Sequence, residues 1–309
     1  MAAETFQTLI DRNKWNTVLL ILCFTLVFVG LGLLIGYAWG GDLTAACAIA
    51  GVAAVVAFLV TLASYFGGSS ALLGLSSARQ IGKADDPRLF NVVEELCLAA
   101  GIPAPKVYLI DDTAMNAFAT GRDPTHAAVA ITTGLRARLS RDELQGVMAH
   151  ELSHVRHYDI LYATLIAVMV GVLVMLCDVF MRSMWWGAGS RRRRSSRSGG
   201  GGAALLLVVA LVLAIVAPIL AKIIQLAISR QREYLADAGS VELTRNPEGL
   251  ASALAKLSGD TEVLEVANRA TAPLYIVHPI KKFEERAASI FDTHPPVSDR
   301  IRRLMSLTV

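Results

Sequence analysis

The stretch Ser140-Arg141-Asp142-Glu143-Leu144-Gln145-Gly146-Val147-Met148-Ala149-His150-Glu151-Leu152-Ser153-His154 carries the decisive pattern of the chain. Ser140 and Glu143 have capping-box spacing, Asp142 and Glu143 sit in a first turn, and Leu144, Val147, Met148 and Leu152 form an apolar stripe. A helix is therefore expected through His154. On it His150 and His154 share one face, their Cβ atoms about 5–6 Å apart, so two neutral imidazoles can meet one Zn²⁺ at about 2.0–2.1 Å each. Glu151 then stands beside the metal, in the layout of a zinc hydrolase site. About one chain in a hundred of this length would carry HExxH by accident at background residue frequencies, so the surroundings must decide.

The chain is 54% hydrophobic and 18% charged, against about 25% charged residues in ordinary soluble domains. Four apolar runs are long enough for a bilayer, which needs about 20 residues: Thr17 to Trp39, Leu43 to Phe66, Ile160 to Met181, and Ala203 to Ile228. The first pair reads as a hairpin around Gly40-Gly41-Asp42. The first run exceeds the 7–15 residues of a signal peptide core and another span follows at once, so it is expected to stay attached. The four cysteines have no CxxC spacing and lie in apolar runs, which argues for small hydrophobes and against a disulfide framework or a thiolate zinc site. A net charge of +3 implies no nucleic-acid partner.

The expected fold class is α+β, a mainly helical membrane protein with four transmembrane helices and a zincin-like catalytic domain at the membrane surface. Five segments follow: a tail over 1–16, a first hairpin over 17–66, a first catalytic part over 67–159, a second hairpin over 160–229 and a second catalytic part over 230–309. In the first catalytic part, Asp85 and Asp86 cap a helix from Pro87 to Ala100 that stops at Gly101. Strands are expected over Lys106 to Ile110, Asn116 to Thr120 and Ala128 to Thr132, between turn residues such as Asp111-Asp112 and Gly121-Arg122-Asp123-Pro124. Helices are expected over Ser229 to Gly239, after Asn246-Pro247-Glu248 and from Pro296-Val297-Ser298-Asp299. The Arg/Ser/Gly-rich residues 182–202 read as a flexible basic loop between the third and fourth spans.

A catalytic zinc site takes three protein ligands and keeps one position open, so HELSH needs a partner. His157 stands about 10.5 Å along the helix from His150 and reads as a solvated interfacial histidine instead. A metzincin pattern is absent, since His157 and Ile160 occupy its glycine and third-histidine positions. Glu233, in Glu233-Tyr234-Leu235-Ala236-Asp237, is a suitable third ligand, with Asp237 one turn along to hold a histidine N–H. Taken by themselves, Glu233 and Asp237 read as a solvated helix face beside Arg230 and Arg232. Membrane geometry reverses that preference: the third span starts about 9 Å beyond His154, the fourth ends within about 17 Å of Glu233, and two spans return the chain to the surface it left.

HELSH, a hydrophobic hairpin and then EYLAD together resemble the HtpX family of membrane zinc metalloproteases, relatives of the type I prenyl-protein proteases. The similarity covers nearly the whole chain, including Asn116-Ala117-Phe118-Ala119-Thr120-Gly121 and Thr293-His294-Pro295-Pro296 with Asp299-Arg300-Ile301. It implies one Zn²⁺ held by His150, His154 and Glu233, with Glu151 as catalytic base. It further implies His294 as oxyanion donor, Arg300 as a second candidate for that role, and Asn116, Ala117, Phe118, Ala119 and Thr120 as an edge on which substrate adds as a strand.

The expected activity is a membrane-anchored endopeptidase acting on membrane or misfolded proteins in quality control, with protein substrates and the lipid bilayer as partners. Prenyl-protein processing is a narrower enzyme alternative, needing a chamber larger than four spans readily enclose. A non-catalytic membrane scaffold with a structural or regulatory zinc is a third reading; an intact Glu151 argues against it, because a purely structural site has no use for a base and is normally closed by a fourth ligand. Arg141, Asp142, Arg156 and Asp159 keep the HELSH helix in water or at the interface, which argues against an intramembrane protease. Arg12 and Lys14 precede the first span and only Asp42 follows it, so the expected location is the inner membrane with a cytoplasmic site. The basic 182–202 loop then falls outside, against the positive-inside rule. Oligomeric state is not encoded in any of these features.

Overall fold

A computed structural model of the chain describes residues 6–169, 171–172, 230–260, 262, 264, 274–276 and 295–307. The fourth apolar run, the basic 182–202 loop and His294 lie outside the described residues, as does the end of the third run.

The chain begins with a helical hairpin, α1 (Phe6–Gly40) and α2 (Leu43–Leu75). Within it, Ile10–Tyr37 and Leu43–Leu75 are long and apolar enough to cross a membrane, with mean hydropathies of 3.0 and 2.5. Asp42 forms the corner by accepting from the Ala45 N–H at 2.7 Å. The helices meet through small residues: a Cβ on Gly36 would lie 2.6 Å from the Ala46 Cα. Backbones approach this closely where Gly and Ala replace larger side chains, the usual packing of helices in lipid.

A four-stranded mixed sheet follows, built from β1 (Arg79–Gln80), β2 (Lys106–Ile110), β3 (Ala117–Gly121) and β4 (Ala127–Thr132) in the order β1-β2-β4-β3. Strand β2 runs parallel to β4, while β3 pairs antiparallel with it, Phe118 opposite Ala130, and forms one edge of the sheet. Helix α3 (Pro87–Ala100) connects β1 to β2. Asp86 alone caps it, accepting from Leu89, and Gly101 ends it at φ +66°, where a left-handed residue is required. Asp85 accepts instead from the Gly82 N–H at 2.7 Å.

Short α4 (Thr133–Arg138) had no sequence signal beyond Thr132, which closes β4 and also caps the helix. Helix α5 (Arg141–Arg156) carries HELSH and has the full capping box at Ser140 and Glu143. It does not run on into the third apolar run. It stops at His157, Tyr158 takes a left-handed φ of +61°, and a new helix, α6 (Asp159–Met169), begins. Further along the chain come α7 (Arg230–Thr244), α8 (Pro247–Gly259, capped by Asn246) and α9 (Val297–Met305).

One core joins these parts: Leu89, Val92 and Leu96 of α3, Val129 and Ile131 of β4, Leu144, Val147, Met148 and Leu152 of α5, and Leu250, Leu254 and Leu257 of α8 bury together. Helix α5 is thus covered on several sides, and its polar residues must be matched inside. Glu143 shows how. It is 5% exposed, accepts from Lys256 at 2.7 Å and Ser252 at 2.6 Å, and caps its own helix through the Ser140 N–H. Burial alone would raise it, but these donors outweigh burial and hold its carboxyl down at about 2.

A depressed carboxyl stabilises the fold above its unfolded value near 4.5, and that contribution disappears as the pH falls through about 2. Glu143→Gln should therefore lower stability by about 2–3 kcal/mol at pH 7 and by progressively less below pH 4.5, with wild type and variant converging near pH 2. Thermal midpoints in detergent across that range check it. A pH-independent difference would assign the loss to packing.

Candidate metal centre

Helical periodicity on α5 brings the His150 and His154 rings edge to face, their planes at 90° and their centroids 4.8 Å apart. Helix α7 crosses behind α5, where Gly239 lets it in: a Cβ there would stand 2.5 Å from Ser153 Oγ. Ser240 donates to the Gly146 carbonyl at 2.8 Å and fixes the crossing. The first turns of α7 thereby place Glu233 and Asp237 against the imidazoles. Glu233 Oε2 lies 3.8 Å from His150 Nε2, and Oε1 lies 3.7 Å from His154 Nε2.

Both rings are tied from behind through Nδ1. His150 Nδ1 lies 3.0 Å from Asp237 Oδ1, and His154 Nδ1 lies 3.1 Å from Asp159 Oδ2. Each ring consequently turns Nε2 towards the other, 3.3 Å apart. With both rings neutral, two lone pairs would face one another, so the pocket calls for a cation between them. Tetrahedral ligands at about 2.0–2.1 Å from an ion stand about 3.3–3.4 Å from one another, and this donor set needs only small adjustments to meet that spacing. His150, His154 and Glu233 form the group able to hold a metal ion among the described residues.

The electrostatics favour the same conclusion. Burial lowers His150 and keeps it in the neutral, ligating form, against the pull of Asp237. Burial acts on His154 as well, but the Asp159 bond and the Glu233 carboxylate outweigh it and lift the ring to about 9. The pocket thus retains a positive charge among carboxylates, and a divalent cation would replace that proton. Burial pushes Glu151 up to about 7; Glu233 adds to this, while His154 and the Ala119 N–H oppose it. A buried carboxyl near neutrality suits a group that must take and return a proton.

Arg300, in the first turn of α9, is 0% exposed. Its Nε and Nη2 donate to the two oxygens of Asp237 at 2.9 and 2.7 Å, and Nη1 donates to the Ile276 carbonyl at 3.1 Å. The 3.4 Å approach of Nη2 to His150 Nδ1 is the meeting of two donors on the same Asp237 oxygen. Arg300 thus spans both carboxylates, since its Nη1 also stands 3.6 Å from Glu233 Oε2, and its Nη2 lies against the His150 ring, 3.5 Å from Nε2; nothing local in the sequence pairs it with either.

Asn116 to Thr120 lie beside the site. The Asn116 carbonyl accepts from the Thr132 N–H at 3.0 Å, so Phe118 and Thr120 also face β4 while Ala117, Ala119 and Gly121 face the outer edge. On that edge the Ala119 N–H meets Glu151, the Ala117 carbonyl accepts from Ile276 at 3.1 Å, and the Gly121 N–H reaches Thr164 Oγ1 at 3.3 Å. Phe118 turns to the other face and stacks edge-on against Tyr275 at 5.2 Å.

Two residues sit differently from their sequence reading. His157 is 3% exposed and packs near Gly239, so it is a buried helix end and not a solvated interfacial histidine. Asp159, read only as a charge that keeps the helix in water, is the partner of His154. On an unbroken helix a residue five positions on would point about 140° away from His154. The left-handed Tyr158 swings it back, and no local signal announces a positive φ at an aromatic residue.

The Asp237–Arg300 pair gives a test of its own. Arg300→Met should destabilise the protein by about 3–5 kcal/mol, because it strands a buried carboxylate, and Arg300→Lys should recover only part of the loss, since a single ammonium cannot reproduce the two-pronged contact. Thermal midpoints of the two variants decide it; a full recovery by lysine would reduce the role of Arg300 to charge alone.

Comparison with known proteins agrees with the site. The model of peptidase family M48 matches residues 83–308. The Protease HtpX homolog of Lactiplantibacillus plantarum is 43% identical over 299 residues, 96% of this chain and 98% of that protein. The Protease HtpX homolog of Caldanaerobacter subterraneus subsp. tengcongensis is 42% identical over 314 residues, with 100% of both chains covered. The crystal structure of S. mikatae Ste24p overlays with a TM-score of 0.49 at 19% identity, covering 96% of this chain and 66% of that one. The conjunction of HELSH, EYLAD and these full-length likenesses shows that the chain belongs to peptidase family M48, as one of its HtpX-type proteases.

Proposed function

We propose that this protease is a membrane-anchored zinc endopeptidase, zincin-like in the arrangement of its sheet and HELSH helix, that cuts membrane or misfolded proteins at the cytoplasmic face of the inner membrane. The observation that carries the reading is the convergence of His150, His154 and Glu233 on a common point, with both imidazoles turned towards it by carboxylates. Two nitrogens and one carboxylate suit Zn²⁺ and leave a coordination position open for reaction. When bound, the ion supplies an activated water and polarises the peptide carbonyl.

Glu151 is buried beside that point and takes the proton from water, then returns it to the leaving amine. Asp237 and Asp159 keep the imidazole tautomers that present Nε2. Arg300 balances Asp237 as a positioning residue. His294 is proposed as the oxyanion donor on the strength of the family resemblance, and Asn116 to Thr120 as the substrate edge. Strand addition there requires Ile276 to release the Ala117 carbonyl and the Ala119 N–H to exchange partners.

Substrates that are unfolded or emerging from a bilayer suit an enzyme on two long apolar helices whose site lies near the ends of both. Asn13 near the start of α1 meets His157 and Asp159, and Ser76 at the end of α2 meets Tyr275. Arg12 and Lys14 at the start of α1 support a cytoplasmic position for that end.

Glu151→Gln should retain the metal and lose about 10²–10⁴-fold in cleavage of an unfolded model protein, because the base goes while the ligands stay. Glu233→Ala should lose the metal itself. Zinc content and proteolysis measured on the same detergent-purified samples check both, and full activity of Glu151→Gln would end this mechanism. For topology, single cysteines at Lys83 and Ser258 in a cysteine-free background should both react with an impermeant maleimide in inverted vesicles and neither in intact cells. Reaction from opposite sides would break the shared-face arrangement.

A further inference from the structure

Asn13 is an amide near the start of a long apolar helix and is 5% exposed. A buried amide in such a place is costly unless its N–H groups are used. Its Nδ2 donates twice, to the His157 carbonyl at 2.9 Å and to Asp159 Oδ1 at 2.7 Å. Both acceptors belong to the break between α5 and α6, where the end of a helix leaves carbonyls without intrahelical partners. Tyr158, between them, has the left-handed φ of +61°, a conformation that strains a non-glycine backbone. The neighbouring Lys14 Nζ lies 5.0 Å from the Tyr158 ring centre, so α1 grips the same break at a second point.

Asp159 divides its oxygens: Oδ1 accepts from Asn13, and Oδ2 meets His154 Nδ1 at 3.1 Å. Arg232 Nε stands 3.7 Å from Oδ1, and its guanidinium covers the Tyr162 ring at 4.7 Å. The Asp159 carboxylate is thereby turned with one edge towards α1 and the other towards the imidazole.

We propose that Asn13 of the first membrane helix is a positioning residue for His154, acting through Asp159, so that the seating of α1 sets the orientation of one metal-binding imidazole. The inference rests on the reading of His154 as a metal ligand. Without Asn13 the break loses its cap and the Asp159 carboxylate can rotate, which frees the tautomer and angle of the His154 ring. A residue that merely filled space between α1 and α6 would affect stability and leave the metal unchanged.

The test compares wild type, Asn13→Ala, Asp159→Asn and the double variant as full-length proteins in detergent. The zinc dissociation constant is read by competition with a chromogenic chelator, and the Co²⁺-substituted proteins are read by their visible absorption. Asp159→Asn is expected to weaken zinc by about 10–100-fold and Asn13→Ala by about 3–10-fold, both with altered cobalt bands. In the Asp159→Asn background, Asn13→Ala should add less than about twofold, since its route to the metal is already cut. The loss in proteolysis should fall on kcat more than on KM. Asn13→Asp, which keeps the shape and sets a carboxylate against Asp159, is expected to match or exceed Asn13→Ala and decides the matter where the alanine variant does not purify folded.

Wild-type affinity and cobalt spectrum in a folded Asn13 variant would overturn the inference, as would effects of Asn13 and Asp159 that multiply independently. A wild-type protein that takes up no zinc would bring down the metal reading itself. Tight wild-type binding with unaltered Asn13 variants brings down this inference alone.

Discussion

Two imidazoles with their Nε2 atoms 3.3 Å apart, each tied through Nδ1 to a carboxylate, are the constraint on which the rest of the molecule turns. The rings cannot rotate away without leaving Asp159 or Asp237, and they cannot remain together without positive charge between them. Everything nearby serves that arrangement: α7 contributes the third donor, α9 the arginine that balances Asp237, and α1 the amide that anchors Asp159.

Burying charged groups is expensive, and two of the buried carboxylates here are matched by specific donors. Glu143 is matched by Lys256 and Ser252, and Asp237 by His150 and Arg300. Such pairs contribute little net stability compared with well-packed apolar side chains. Their effect is specific: with the partners fixed, a one-turn shift of α7 along α5 would leave buried charges stranded on both helices. The close approach at Gly239 serves the same purpose sterically, since only a residue without a side chain lets the two helices meet at that depth.

The apolar hairpin is more than an anchor. Its two ends flank the catalytic unit, α1 through Asn13 and α2 through Ser76 and the Tyr275 hydroxyl at 3.2 Å. Tyr275 stacks on Phe118 of the edge strand, and Ile276 beside it occupies the Ala117 carbonyl and supports Arg300. Residues 274–276 therefore link the end of α2, the strand beside Glu151 and, through Arg300, the carboxylate behind His150. A substrate strand at that edge would disturb all three.

The sequence by itself determined what depends on neighbours along the chain. The Ser140 and Glu143 box, the shared face of His150 and His154, the Asp86 cap with its terminal Gly101, the Asn246 cap and the apolar length of the first two helices follow from local spacing, because capping and helical periodicity act over only a few residues. Glu233 and Asp237 were legible as a pair one turn apart, but their meeting with HELSH rested on a membrane hairpin and a family likeness. The tertiary structure decided the contacts between distant segments. Arg300 is the partner of Asp237 only because α9 closes over α7, and Asn13 reaches Asp159 only because the chain breaks at Tyr158. A left-handed aromatic residue has no propensity of its own to announce it. It persists because Asn13 and Lys14, about 145 positions earlier in the chain, hold the break from outside.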